Sequence, residues 1–430
     1  MRHAEEARAR VLKAFVLSGL LFMLVPGTFL GVWNLVQVSR RESVGLVSAE
    51  WLQAHGHAQV FGWIGTFILG IGLYSIPKLR AGAKPAVVVA WTCWTLWVSG
   101  VSLRWFANVY GWHWRALLPV SAVLELCGFL TFLLVVSRHR PRNGVGMTRS
   151  PNWIWMVVAA TAGFAGTLVA NLVLCVDAAR HGESPAFAHG VDQRFLVLAA
   201  WGFLAPFIWG FSLNWLPLFL GLRPPRMRAA AIAVAINSTA VVLALLGRIG
   251  AATAMFVLAS TAVVIALRIL EPSVQPARTR GVHPSFPAFV RIAYVWLIVA
   301  ALLGVAAAKW DVSGGIWGAS RHAFTVGFVS MMVFAIGQRV LPQFAGLQPL
   351  WSPRLMLTAL TLLAGGCLLR VSSEVLAYQH YAAWAWAVLP ASAFIEMGAV
   401  SAFALNIGVT LLMPEGVEDA AVAIGHRAVR

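Results

Sequence analysis

Long apolar runs recur from one end of this 430-residue sequence to the other. Each holds roughly 18 residues or more, enough for a helix to cross a hydrocarbon core about 30 Å thick. In that medium every backbone N–H and C=O must be bonded within the protein, so continuous apolar runs of this length cross as helices. Charged residues make up only 11% of the chain, against about 25% in an ordinary soluble domain, too few to cover the runs with polar surface. The expected class is an all-α polytopic membrane protein, one integral membrane domain over residues 1–430.

The runs divide into about twelve transmembrane helices, at residues 14–38, 55–77, 86–107, 114–136, 153–176, 195–220, 229–247, 250–270, 288–308, 317–342, 354–372 and 384–412. Pro77, Pro85, Pro141, Pro151, Pro217, Pro224, Pro225, Pro342 and Pro353 fall at or just beyond span ends, where proline stops a helix. Only Arg248, Ile249 and Gly250 divide the seventh span from the eighth. The first run follows Arg2, Arg8, Arg10 and Lys13, has no small-residue cleavage site after it, and is expected to stay as a span.

The net charge of +17 is spread over the breaks between spans and forms no basic stripe with stacking aromatics, which argues against nucleic acid. Most of the 32 Lys and Arg fall in alternate breaks: Lys78/Arg80/Lys84, Arg138/Arg140/Arg142/Arg149, Arg223/Arg226/Arg228, Arg268/Arg278/Arg280/Arg291, Arg339/Arg354 and the two tails. By the positive-inside rule these breaks and both termini are cytoplasmic, as expected for a multi-pass protein of a bacterial inner membrane in contact with lipid. Many of the 20 tryptophans stand near span ends (Trp51, Trp112, Trp114, Trp153, Trp317, Trp351), as an interfacial belt does. Cys93, Cys127, Cys175 and Cys367 lie inside apolar runs without CxxC spacing and read as small core residues.

The sequence also repeats itself. His57-Ala58, Gly62, Gly72 and Pro77 in the second span match His322-Ala323, Gly327, Gly337 and Pro342 in the tenth at identical spacing. Gly100-x-x-x-Arg104 matches Gly366-x-x-x-Arg370, and Leu118-Pro119-x-Ser121-Ala122-x-x-Glu125 matches Leu389-Pro390-x-Ser392-Ala393-x-x-Glu396. A weaker copy holds Gly202, Pro217 and Arg248 without the histidine or glutamate. The expectation is three pseudo-repeated four-helix arcs, approximately 14–136, 153–270 and 288–412, related by an axis along the membrane normal.

The charges then gather at one level. His55, His57 and His322 lie near the outer ends of their spans, Arg104, Arg248 and Arg370 at a similar depth, and Glu125 and Glu396 a few turns deeper. Ionisable groups at such depths are costly and point to function. Two imidazoles facing one another suit the axial positions of a haem b, and arginine suits its propionates. Repeat equivalence pairs His57 with His322. His55 stands roughly 200° around the helix from His57, so it faces a second haem or metal site or a hydrogen-bonding partner. Glu125 and Glu396 either neutralise neighbouring arginines or relay protons. His113, His181, His189, His283 and His380 fall in loops or at span ends; His113 and His189 stand on the side where His55 could draw them into a copper site.

His55-Gly56-His57-Ala58-Gln59-Val60-Phe61-Gly62 resembles the HxHxxxFG motif of the NnrS family of haem- and copper-containing bacterial membrane proteins. His322-Ala323-Phe324-Thr325-Val326-Gly327 is similar to that family's His-Ala-Leu-Thr-Val-Gly stretch. The resemblance implies haem, copper, and a role in nitric oxide metabolism or protection from nitrosative stress, with turnover as a haem-dependent oxidoreductase and a quinol or cytochrome donor left open. Ala58-Gln59 and Pro342-Gln343-Phe344 depart from the family's Glu-Met and Gly-His-Thr. The layout also resembles the catalytic subunit of haem-copper oxidases, but that family's copper-binding histidines lie on helices six and seven, and none occurs on those spans here. A respiratory subunit and a secondary transporter without haem are the alternative functions.

Overall fold

The computed structural model of the protein describes residues 2–79, 86–138, 153–344 and 349–413. Twelve helices among them are long and apolar enough to span a membrane: Glu6–Arg41, Ala49–Ile76, Val87–Tyr110, Trp114–Ser137, Ile154–His181, His189–Leu220, Met227–Leu245, Ile249–Leu267, Phe286–Trp310, Gly315–Pro342, Pro353–Tyr378 and Ala385–Leu412. They are called spans 1 to 12. Several helices run past their apolar cores. Span 1 begins at Glu6 and span 6 at His189, because a helix continues into the interfacial region while its polar residues still reach water. Of the inner-face assignments, Arg80, Lys84, Arg140, Arg142, Arg149, Pro85, Pro141, Pro151 and the C-terminal tail lie outside the described residues.

Consecutive spans are neighbours all the way along the chain, and span 12 also packs on span 1, so the bundle closes. Spans 3 and 4, 7 and 8, and 11 and 12 form the most extensive pairs. Spans 2, 6 and 10 meet one another inside. Span 10 contacts both of the others, and Phe61 stacks on Phe195 across spans 2 and 6, ring centroids 6.3 Å apart. Burial agrees: 67% of the apolar window is buried in spans 2 and 10 and 56% in span 6, against 28% in span 5.

All three inner spans widen into a π-helix: Ala58–Gly65, Leu198–Leu204 and Ala323–Ser330. The segments begin directly after His57, Val197 and His322 and enclose the repeat glycines Gly62, Gly202 and Gly327. Hydroxyls bond the carbonyls of the altered ladder. Thr66 Oγ1 donates to the Gly62 carbonyl at 2.5 Å, and Ser330 Oγ to the Thr325 carbonyl at 2.8 Å. A fourth such segment, Met23–Phe29 in span 1, contains Pro26, which lacks the N–H that a regular turn needs.

Close backbone approach sets the crossings. Gly163 of span 5 lies against the Gly202 carbonyl of span 6, nearer than any Cβ could stand, whereas Gly166 one turn on faces open space. Small residues let helices approach in a bundle that gains little from hydrophobic burial. Gly163→Leu is therefore expected to destabilise the protein by about 2 kcal/mol or more, as overpacking of a tight contact does. Gly166→Leu should cost less than about 0.5 kcal/mol. Thermal midpoints of both variants in detergent check this, and equal losses would contradict it.

Candidate functional site

Apart from Arg339, which stacks over Phe219 and Phe286, the buried charges form two clusters, one in each strong copy of the repeat. The same local device builds both. A Cβ at Gly100 of span 3 would fall 2.8 Å from Glu125 Cγ of span 4, and a Cβ at Gly366 of span 11 would fall 2.7 Å from Glu396 Cγ of span 12. Each glutamate stem thus lies in the gap left by a glycine, which is why the two motifs keep their spacing together.

In the first cluster His57 Nε2 lies 2.7 Å from Glu125 Oε1, and both residues are buried. The other carboxylate oxygen accepts from Asn171 Nδ2 of span 5 at 3.1 Å. Asn171 Oδ1 faces Cys175 Sγ at 3.7 Å, and Arg104 Nη1 donates to that sulfur at 2.8 Å. The Arg104 guanidinium also stacks over the Phe187 ring, 4.4 Å from its centroid, and the His57 ring stacks on Phe61 at 4.5 Å. Both oxygens of the carboxylate are engaged inside the protein. Arg104 Nε is left buried without a hydrogen-bond partner.

The second cluster is different. His322 Nδ1 lies 2.9 Å from the Gly318 carbonyl and 3.1 Å from Glu374 Oε2, so this nitrogen carries the proton. Arg370 Nε lies 3.4 Å from the same Glu374 oxygen, and Arg370 Nη2 is 3.4 Å from His322 Nε2. Arg370 Nη1 and Glu396 Oε1 are buried without a hydrogen-bond partner. His55 belongs here. Its Nδ1 lies 2.8 Å from the Gly27 carbonyl of span 1, and its ring lies within electrostatic reach of His322 and Arg370. A Cβ at Gly31 would fall 2.6 Å from His55 Cε1, so only a glycine there leaves room for the ring.

The expected residues are thus sorted rather than gathered. His55 joins His322 and Arg370; His57 joins Glu125 and Arg104; Glu396 lies within electrostatic reach of His322 and Arg370. Repeat equivalence suggested His57 opposite His322; in the structure His57 Nε2 lies against Glu125. Arg248 joins neither cluster: it caps span 8 in the exposed turn after span 7. His113, His181, His189 and His380 are exposed, and His283 bonds Ser285. Cys93, Cys175 and Cys367 are buried and Cys127 faces outward; all four are free thiols. Among the described residues, no group of three or more His, Cys, Asp or Glu is arranged to hold a metal ion directly.

Sequence reasoning missed Glu374, Asn171 and Cys175 as members of these clusters. Arg370-x-x-x-Glu374 is an i,i+4 pair open to detection, but the first copy has Asn108 at the matching place, so repeat comparison passed over it. Asn171→Leu removes the donor to a buried carboxylate oxygen and is expected to cost about 1–3 kcal/mol. A thermal midpoint like that of the unaltered protein would show that the first cluster is not held by this bond.

A family model described as NnrS protein matches residues 13–415, nearly the whole chain. No curated protein matches the chain at a significant level. With twelve spans and two histidine clusters on its inner helices, the chain belongs to the NnrS family.

Proposed function

We propose that this protein binds haem b in the outer half of a bacterial inner membrane and serves the nitric oxide or nitrosative-stress response. The observation that carries the reading is the pair His55 and His322. Each has Nδ1 on a backbone carbonyl, Gly27 and Gly318, so each presents Nε2 as the lone-pair nitrogen. That is how haem- and metal-binding imidazoles are usually held, the second ring nitrogen donating to a carbonyl or carboxylate that fixes the tautomer. His55 has no hydrogen bond from Nε2 among the described residues, and His322 Nε2 has only a long contact to Arg370.

The fit extends beyond the two rings. Arg370 keeps a buried Nη1 without a partner, a donor for an anionic oxygen. In the first cluster Arg104 Nε is likewise buried without a partner, but His57 spends Nε2 on Glu125. In this reading His55 and His322 hold the group, and the His57–Glu125 pair stands beside it. When bound, haem supplies a one-electron redox centre; Glu374 and Gly318 orient His322, and Gly27 orients His55. The nitric oxide role comes through family membership, as do copper and an electron donor such as a quinol or cytochrome.

A secondary transporter without haem is the second reading, favoured by twelve spans with internal repeats. The absorption spectrum of detergent-purified protein, oxidised and reduced, separates the two. A Soret band with sharp reduced bands is expected, lost in His322→Ala and in His55→Ala and kept in His57→Ala. Metal analysis of the same sample tests copper. A colourless protein from haem-replete cells would favour the transporter.

A further inference from the structure

Asn34, in the outer half of span 1, is 3% exposed, and neither atom of its amide group has a hydrogen-bond partner. Leaving a buried amide unbonded costs about 1–3 kcal/mol. An asparagine among apolar helices is easily replaced by leucine, so an unbonded one calls for a partner that the chain itself does not provide.

Helix register locates it. Gly27, Gly31, Asn34 and Val38 follow one another at spacings of three and four and share one face of span 1. At the inner end of this face the Gly27 carbonyl meets His55 Nδ1, and Gly31 backs onto the His55 ring. At its outer end Val38 belongs to a hydrophobic cluster with Ala377 and Tyr378 of span 11. Asn34 lies between those two levels. On span 11 the turns just inward of Ala377 and Tyr378 carry Glu374 and Arg370.

Arg370 is only partly used at that level. Nε faces Glu374 and Nη2 faces His322, while Nη1 is buried and unpartnered. We propose that Asn34 and Arg370 form a carboxylate seat at the outer end of the His55–His322 site. This rests on the haem reading, and the carboxylate is one of the side arms of the bound haem. A planar guanidinium with a free N–H suits a carboxylate oxygen, and the primary amide adds donors without adding charge. Arg321, beside His322 in sequence, and Arg370 both act on Glu374, and Arg370 also acts on Glu396. Asp192 also lies within electrostatic reach of Arg321 and of Arg104. His55 and His322, neutral as ligands, and Glu396 complete the polar groups around Arg370.

The test compares haem with its dimethyl ester, in which both carboxylates are capped, titrated into protein purified from haem-deficient cells. The unaltered protein should prefer free haem by about tenfold or more, the equivalent of about 1.4 kcal/mol. Asn34→Leu should bring the two porphyrins within about threefold of each other while leaving the ligand-free thermal midpoint unchanged or raised. Asn34→Asp should weaken free haem more than the ester, since it sets a second carboxylate beside the first. A preference unaffected by Asn34→Leu, or equal loss of both porphyrins in that variant, overturns the seat. Unaltered protein that binds both equally also overturns it and leaves the haem reading standing. Protein that takes up neither removes both.

Discussion

A charged side chain at membrane depth must find its partners inside the protein, because neither lipid nor water is there to supply them. Much of the bundle follows from how Glu125, which meets that demand, and Glu396, whose Oε1 is left unpartnered, are seated. Each glutamate stem needs a glycine opposite, Gly100 or Gly366, which fixes how closely spans 3 and 4 and spans 11 and 12 approach. Those are among the most extensive helix pairs in the molecule. The arginine one turn further along the glycine's helix is thereby carried to the same cluster. Gly, Arg and Glu hold their spacing as one packing unit.

The two copies of that unit have diverged in what they leave unsatisfied. In the first, Glu125 is bonded by His57 and Asn171, and Arg104 is absorbed by Cys175 and Phe187. In the second, Glu374 takes the arginine and the histidine, which releases Glu396 from the part that Glu125 plays. At the position of Asn108 in the first copy the second has Glu374, and both keep buried unpartnered atoms: Arg104 Nε and Asn108 Oδ1 in the first, Arg370 Nη1 and Glu396 Oε1 in the second. Buried polar networks are costly when partly satisfied, so openings of this kind persist where something fills them. The difference between the copies lies at the imidazoles: His57 Nε2 faces Glu125, whereas His322 engages Nδ1 and leaves Nε2 with only a long contact to Arg370.

The twelve spans were legible in the sequence, because hydrocarbon thickness leaves little freedom. The hydrogen-bond partners of each histidine were not. Two side chains two residues apart point in different directions, and which one meets span 10 depends on the rotation of span 2 about its axis. A π-helix begins immediately after His57 and after His322, and it changes that rotation without any mark in the apolar pattern. Asn171 and Cys175 escaped for another reason. They lie on span 5, in the next repeat unit, so their cluster crosses a boundary that a search within units does not cross.

The weak copy explains what the widened turn is for. Span 6 keeps the π-helix at Leu198–Leu204 and the glycine at position 202, yet Val197 stands where the others have histidine. If the widening existed only to aim a ligand, the copy without one would have no use for it. What all three copies share is their place inside the bundle, where Phe61 packs on Phe195 and Trp201 on Phe324 between units. A wider turn shifts the face that follows it, which lets three parallel helices meet along their glycines and still present aromatic rings to one another. Packing accounts for the π-helix in all three copies, and in two of them a histidine stands directly before it. The residue directly before the widened turn is where a side chain can change without disturbing the core.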